Sequence, residues 1–180
     1  MTMLRFPVTA GDHIRGDPNA PATLLEYGDY ECPHCGAAHP VVNQMLAHFG
    51  PRLRFVYRHF PLTQIHPFAE PAAETAEFAG AHGRFWEMHD LLFENQSQLG
   101  LPLLVLLARS LGLSGQELQA VLEAQTHAPK IQRDFMSGVR SGVNGTPTFF
   151  IGDRRHDGPH DYGSLVMAIT AQFFAPQHHR

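Results

Sequence analysis

The sequence predicts an α/β fold with a central mixed sheet, built from a β–α–β unit and a later β–β–α unit with a block of helices between them. Three observations lead to this prediction. An apolar strand pattern at 22–27, a helical pattern ending near residue 48 and an alternating strand pattern at 53–60 follow one another closely. Helical spacing prevails at 61–142, and a short apolar strand at 148–151 then opens the closing unit.

The first unit begins after a segment rich in Gly, Pro and Asp. Residues 16–21 predict a turn, and residues 6–8 are a weaker candidate for a short strand before it. After the first helix, Gly50 and Pro51 predict its end, because Gly suits a left-handed cap and Pro cannot continue a helix. The strands on either side of this helix are expected to pair in parallel, through a right-handed crossover.

The middle of the chain predicts several helices. Ser114 and Glu117 form a capping-box pattern that predicts the start of one of them. Small residues recur at helical spacing and indicate a face that lets helices approach closely: Ala69, Ala72, Ala73, Ala76 and Ala79. Beyond the helices, residues 152–155 predict a hairpin turn into an edge strand. Asp161 is a candidate cap for a final helix.

Composition and charge narrow the classes of function. The chain has 180 residues and a formal net charge of −4 with no basic run, so we expect no nucleic-acid binding. No apolar run approaches the ~18 residues of a membrane-spanning helix, so no membrane span is expected. The first twelve residues lack the apolar core of a secretory signal. We therefore expect a cytoplasmic protein, or a periplasmic or exported one if a leader was removed.

The two cysteines of the chain, Cys32 and Cys35, stand two positions apart at the predicted strand-to-helix junction. Unpaired N–H groups and the helix dipole stabilise a thiolate at a helix N-terminus, which makes Cys32 the candidate nucleophile. Pro33 suits the first helical position, where no backbone donor is needed. A structural cysteine pair and a zinc site remain alternatives, although no second ligand pair follows at zinc spacing. Haem attachment is excluded because Gly36 stands where that motif needs His.

A Cys-x-x-Cys motif beside a β–α–β unit, closed by a β–β–α unit, resembles the thioredoxin fold. The helical block placed between the two units resembles the DsbA-like branch of that fold, and the dipeptide Pro33-His34 is typical of it. The resemblance implies a thioredoxin-like domain at 1–63 and 143–180, with an inserted helical subdomain at 64–142. It covers nearly the whole chain.

The resemblance also implies roles for the residues of the motif. Cys32 would attack a disulfide, and Cys35 would resolve the mixed disulfide that forms. His34 would donate a hydrogen bond or positive charge to the Cys32 thiolate, which stabilises the reduced form. Neither a metal nor an organic cofactor is implied.

Three residues outside the motif match the same pattern. Glu26 lies where the superfamily places a buried carboxylate near the second sulfur, so it is a candidate for proton exchange with Cys35. The alternative is a carboxylate that points to solvent. Pro147 is expected to be cis, as the fold's proline facing the dithiol, and Thr146 before it would offer its backbone to an extended substrate peptide.

The direction of electron flow stays open. Asp29 and Glu31 bring negative charge close to Cys32 and oppose thiolate formation. We expect thiol–disulfide exchange on protein or peptide substrates, with a further redox partner that the sequence does not identify. A cytosolic disulfide reductase or a glutathione-linked member of the same fold is the first alternative. The second is a non-catalytic binding module whose Cys-x-x-Cys is a structural disulfide or a metal clip.

Overall fold

Strands from both ends of the chain form one mixed sheet in the computed structural model, which describes residues 2–176. Its order is β1-β3-β2-β4-β5. Strands β2 and β3 are parallel, and the other neighbours are antiparallel. The strand bounds are β1 His13–Gly16, β2 Ala22–Gly28, β3 Leu53–His59, β4 Thr148–Ile151 and β5 Arg154–His156.

Helices join and cover these strands. The helix bounds in the described part of the chain are α1 Pro33–Phe49, α2 Ala69–Ala81, α3 Phe85–Glu94, α4 Leu101–Ser110, α5 Gly115–Ala124, α6 Ala128–Arg140 and α7 Tyr162–Phe173. Two helix starts are capped as predicted. The Ser114 hydroxyl accepts a hydrogen bond from the Glu117 N–H, and Asp161 caps α7 in the same way.

An apolar core covers each face of the sheet, so its central strands are buried on both sides. In β2, Leu24 joins the core beneath α1 and α7, and Leu25 joins the core on the opposite face. Their partners in β3 follow the same alternation: Leu24 is paired with Phe55 and Leu25 with Val56. This two-sided burial places the C-terminal end of β2, which leads into the cysteine motif, at the centre of the molecule.

The predicted fold class is confirmed, including the β–α–β and β–β–α units and the helices between them. The domain boundaries at 63/64 and 142/143 stay predictions. Residues 6–8, however, do not form a strand, and this prediction is wrong. The first strand is β1, which pairs with β3 and is held by side chains of α2 and α3. Residues 154 and 155 lie in β5 rather than in the turn.

The contacts of β1 explain why its sequence did not reveal it. Ile14 is the one apolar residue of β1, and a single apolar residue cannot produce the alternating pattern that predicts a strand. Instead Trp86 donates its indole N–H to the carbonyl of Ile14 at 3.1 Å. Arg15 binds both carboxylate oxygens of Asp90.

Among residues 2–176, none of the helices combines the length and apolar character that a membrane crossing requires.

Candidate active site

The cysteine motif lies where β2 turns into α1. Cys32 is the N-cap residue of α1 with extended backbone angles, and Pro33 occupies its first turn. The main-chain N–H of Cys32 donates to the carbonyl of Asp29 at 3.1 Å, and its carbonyl accepts from the N–H of Gly36 at 3.1 Å. The Cys32 sulfur therefore sits at the N-terminal end of a 17-residue helix, where the helix dipole favours an anion.

The surroundings of Cys32 favour its ionised form. A hydrogen bond from the Cys35 thiol, aided by the backbone N–H groups of Cys35 and His34, lowers the pKa of Cys32 to about 5. Partial burial opposes this shift but does not overcome it. A cysteine with this pKa is mostly a thiolate at neutral pH, and the thiolate is the nucleophile in disulfide exchange.

Cys35 has the opposite character. Its thiol is fully buried one helical turn into α1. Burial and the hydrogen bond that it gives to Cys32 raise its pKa well above the ordinary value. At neutral pH Cys35 therefore keeps its proton while Cys32 is ionised. This asymmetry separates an attacking sulfur from a resolving sulfur that must first lose a proton.

Glu26 is buried in the middle of the sheet, so its carboxylate does not point to solvent. It lies in β2 opposite Tyr57 on one side and Phe149 on the other, and only 2% of its surface is exposed. Burial, and secondly the charge of Cys32, raise its pKa to about 8. One carboxylate oxygen, Oε1, has no hydrogen-bond partner among the residues that the structure describes. Glu26 is therefore mostly protonated at neutral pH, with an ionised fraction that grows towards pH 8, and it is close enough to the dithiol to interact with both sulfurs.

Thr146 and Pro147 lie against the dithiol from the other end of the chain. The peptide bond between them is cis. Cys32 Sγ lies 3.4 Å from the main-chain carbonyl oxygen of Thr146, a contact in which the protonated thiol donates a hydrogen bond. The Thr146 hydroxyl oxygen is buried and has no partner within the described residues. The segment that precedes β4 thus forms one wall of the site.

His34 acts on Cys32 through its backbone, whereas the predicted role involves its side chain. Its side chain is exposed to solvent at the start of α1. The group of His34 that faces the Cys32 sulfur is its backbone N–H, which helps to lower the pKa of the thiol. Stabilisation by the imidazole itself stays a prediction.

Residues from the helical block complete the site, and the sequence analysis did not identify them. The side-chain amide of Gln96 donates to the main-chain carbonyls of Tyr30 and Cys32, both at 2.8 Å. A Cβ atom at Gly36 would clash with Gln96 Oε1, so glycine permits this contact. The loop before α2 also contacts Asp29 and Glu31, which precede the motif, through His66 and two backbone N–H groups. No local sequence pattern predicts these contacts, because the partners lie 30 or more residues apart in the chain.

Two groups of side chains among the described residues have the composition of a metal site: His13, His59 and Glu77, and His39, His89 and Asp90. In the first, both imidazoles contact the same carboxylate oxygen at 2.7 Å. In the second, the carboxylate is paired with Arg15. Because hydrogen bonds and an ion pair already engage these groups, we assign no metal to either. Neither group contains a cysteine.

A dithiol at a helix N-terminus, placed against a cis-proline segment on a sheet of this topology, defines a thioredoxin-like protein. The chain belongs to the thioredoxin family, since a family model described as Thioredoxin matches residues 8–171.

Similar proteins agree with this assignment of the fold. BdbD from Bacillus subtilis in its oxidised form superimposes with a TM-score of 0.84 at 23% identity, covering 94% of this chain and 96% of that one. A thioredoxin-like oxidoreductase from Silicibacter pomeroyi gives a TM-score of 0.76 at 27% identity, covering 93% and 95%.

Among curated proteins, the Na(+)/H(+) antiporter NhaA 1 of Salinispora arenicola is 45% identical over 162 residues. The match covers 90% of this chain but 25% of the antiporter. The chain thus spans about a quarter of the length of the curated relatives that it matches.

Proposed function

We propose that this protein catalyses thiol–disulfide exchange on protein or peptide substrates, with Cys32 as nucleophile and Cys35 as resolving thiol. The observation that carries the proposal is the opposite perturbation of the two sulfurs. Cys32 has a pKa of about 5 at the helix N-terminus, whereas the pKa of buried Cys35 is raised. Family membership and the oxidoreductase described among similar structures support the same reaction.

The reaction proceeds in two exchanges. The Cys32 thiolate attacks one sulfur of a substrate disulfide, forms a mixed disulfide and releases the other sulfur as a thiolate. Cys35 then loses its proton and attacks the Cys32 sulfur, which frees the second substrate thiolate. Two electrons pass to the substrate, and the protein is left with the Cys32–Cys35 disulfide. In its ionised form, whose share grows as the pH approaches 8, Glu26 is placed to accept the Cys35 proton. The reverse sequence oxidises a substrate dithiol.

The stabilised thiolate favours the second direction, in which this protein oxidises its substrate. Stabilising the reduced form of a dithiol makes the corresponding disulfide a stronger oxidant. Measuring the reduction potential against glutathione tests the direction. A value of about −120 mV, as in DsbA, supports oxidation, and one of about −270 mV, as in thioredoxin, would instead favour the reductase alternative.

Trapping with a Cys35→Ser variant tests the reaction itself. In this variant Cys32 can still attack a peptide disulfide, but the mixed disulfide cannot be resolved, so mass spectrometry should find the adduct. Cys32→Ser is the matched control and should give none. Equal amounts of adduct in both variants would show that Cys32 is not the specific nucleophile, and no adduct in either variant would favour the binding-module alternative.

The partner that recycles the dithiol is, in this proposal, a second thiol–disulfide protein. Adducts trapped in cells by the Cys35→Ser variant provide the means of naming it. The cytoplasmic location expected from the sequence stays a prediction, which fractionation of the natural protein would check.

A further inference from the structure

Two carboxylates lie beside the reactive thiol, and unopposed they would disfavour its thiolate. Asp29 and Glu31 stand three residues and one residue before Cys32. The side chain of Asp29 is fully buried, so solvent does not screen its charge. Yet the pKa of Cys32 is lowered to about 5. Cys35 and the backbone N–H groups of the helix start lower this pKa directly, and compensation of the two carboxylates by other groups would keep their charges from opposing that effect.

The loop between β3 and α2 supplies this compensation. Asp29 Oδ2 accepts a hydrogen bond from the main-chain N–H of Leu62 at 2.9 Å and lies 2.7 Å from His66 Nδ1. Glu31 accepts a hydrogen bond from the N–H of Phe68, the N-cap residue of α2, at 2.6 Å. The remaining Asp29 oxygen, Oδ1, accepts from the N–H of Glu31 at 2.8 Å. Among these partners, His66 is the one that can carry a positive charge.

The surroundings of His66 favour its protonated form. Burial alone would lower its pKa, but the hydrogen bond and the charge of Asp29 raise it overall, with Cys32 and Glu31 adding to the effect. The imidazole is also mostly shielded, with a side-chain exposure of 15%. An imidazolium in this position forms a charge-assisted bond with a buried carboxylate, at the edge of the dithiol site.

We propose that His66 is a positioning residue for Cys32: paired with Asp29, it offsets the acidic side chains that precede the motif and so stabilises the thiolate. The same coupling acts in reverse, because an interaction between two sites is reciprocal. Formation of the Cys32–Cys35 disulfide removes the thiolate charge, and His66 then holds its proton less tightly. The inference deepens the proposed exchange function and rests on it for its biological meaning.

Proton release by His66 is consistent with the number of protons that the redox step consumes. When a substrate disulfide oxidises the dithiol, two electrons reach the substrate sulfurs, which leave as two thiols. One of their protons comes from Cys35, and the second must come from elsewhere because Cys32 starts as a thiolate. His66, whose affinity for its proton falls at this step, supplies part of the second proton, and solvent supplies the rest.

Two substitutions separate the charge of His66 from its hydrogen bond. In His66→Asn the side-chain amide can replace Nδ1 as donor to Asp29, but the charge is lost. In His66→Ala both are lost. His82→Asn is the matched control, since His82 lies at the far end of α2, against Phe78 and Glu117.

Thiolate absorbance as a function of pH measures the pKa of Cys32 in each variant. We expect His66→Asn to raise this pKa by about half a unit, less than a directly contacting charge would cause, which lowers the thiolate fraction about threefold at pH 4. His66→Ala should raise it at least as far, and His82→Asn should leave it unchanged. If His66→Asn folds normally and keeps the wild-type pKa, the charge of His66 has no role and the proposal is wrong.

NMR titration of the His66 ring in the wild-type protein provides an independent test that needs no variant. We expect a higher pKa for His66 in the reduced protein than in the oxidised protein. Equal values would overturn the proposed coupling. Neither measurement requires turnover, so failure of the exchange assays would refute the proposed function while leaving the test of His66 intact.

Discussion

Replacing Glu26 by glutamine tests whether a buried carboxyl group beneath the dithiol keeps its proton at neutral pH. The change preserves the size of the side chain and removes its titration. Because Glu26 lies in the central strand β2 and is 2% exposed, little solvent is available to stabilise its charge. The substitution therefore affects both the stability of the protein and the pH dependence of its chemistry.

The magnitude follows from the raised pKa of Glu26. Burial raises it from 4.5 to about 8, so between these values the folded protein keeps a proton that the unfolded chain has lost. Unfolding is then favoured increasingly as the pH rises, by about 1.4 kcal/mol per pH unit. The cost to folding is absent below pH 4.5 and reaches about 3 kcal/mol at pH 7, as an upper value.

Urea unfolding of the reduced protein at several pH values measures this effect. We expect Glu26→Gln to match the wild type near pH 4 and to become more stable than it at pH 7, by up to about 3 kcal/mol. Glu123→Gln is the matched control, because Glu123 is exposed on α5 and should change little at any pH. A stability difference that does not vary with pH would refute the argument.

The kinetics of exchange provide the second readout for Glu26. If Glu26 accepts the Cys35 proton, resolution of the mixed disulfide should be slower in Glu26→Gln and should lose the dependence on a group that titrates near pH 8. An unchanged pH–rate profile would remove Glu26 from the mechanism and leave it as a buried acid without a catalytic role.

Two further substitutions test contacts that hold the site and the last helix. Gln96→Ala removes the donors to the carbonyls of Tyr30 and Cys32 and should destabilise the protein by about 1–2 kcal/mol, as measured by thermal unfolding. Gln98→Ala, on the exposed side of the same turn, is its control, and equal effects would show that the amide contacts contribute nothing. Asp161→Ala removes the cap of α7 and should cost about 1 kcal/mol; Asp161→Ser should restore most of it, and full stability in the alanine variant would contradict the assigned cap.

Local chemistry made most of the fold predictable. The caps at Ser114 and Asp161 are visible as short patterns because a capping side chain bonds a backbone group three residues away. The alternation in β3 is visible because neighbouring residues of a central strand face opposite cores. Strand β1 lacks such a signal, since side chains of α2 and α3, far along the chain, hold it in place.

The cysteine motif was predictable for a similar reason. The spacing of Cys32 and Cys35, the apolar strand before them and the helix after them all lie within one stretch of sequence. The position of Cys32 at a helix N-terminus then explains why its sulfur is the nucleophile. Thr146 and Pro147 were located only through the resemblance to a family, because nothing near them in the chain points to the dithiol.

The sequence by itself determined the order of the elements and the reactive dithiol, because both depend on residues that are close together in the chain. Only the tertiary structure decided the charges around the dithiol. Whether Glu26 is ionised depends on its burial between β3 and β4, and whether Asp29 opposes the thiolate depends on His66, 37 residues away. Burial and electrostatic compensation act between groups that folding brings together, so a linear pattern does not contain them.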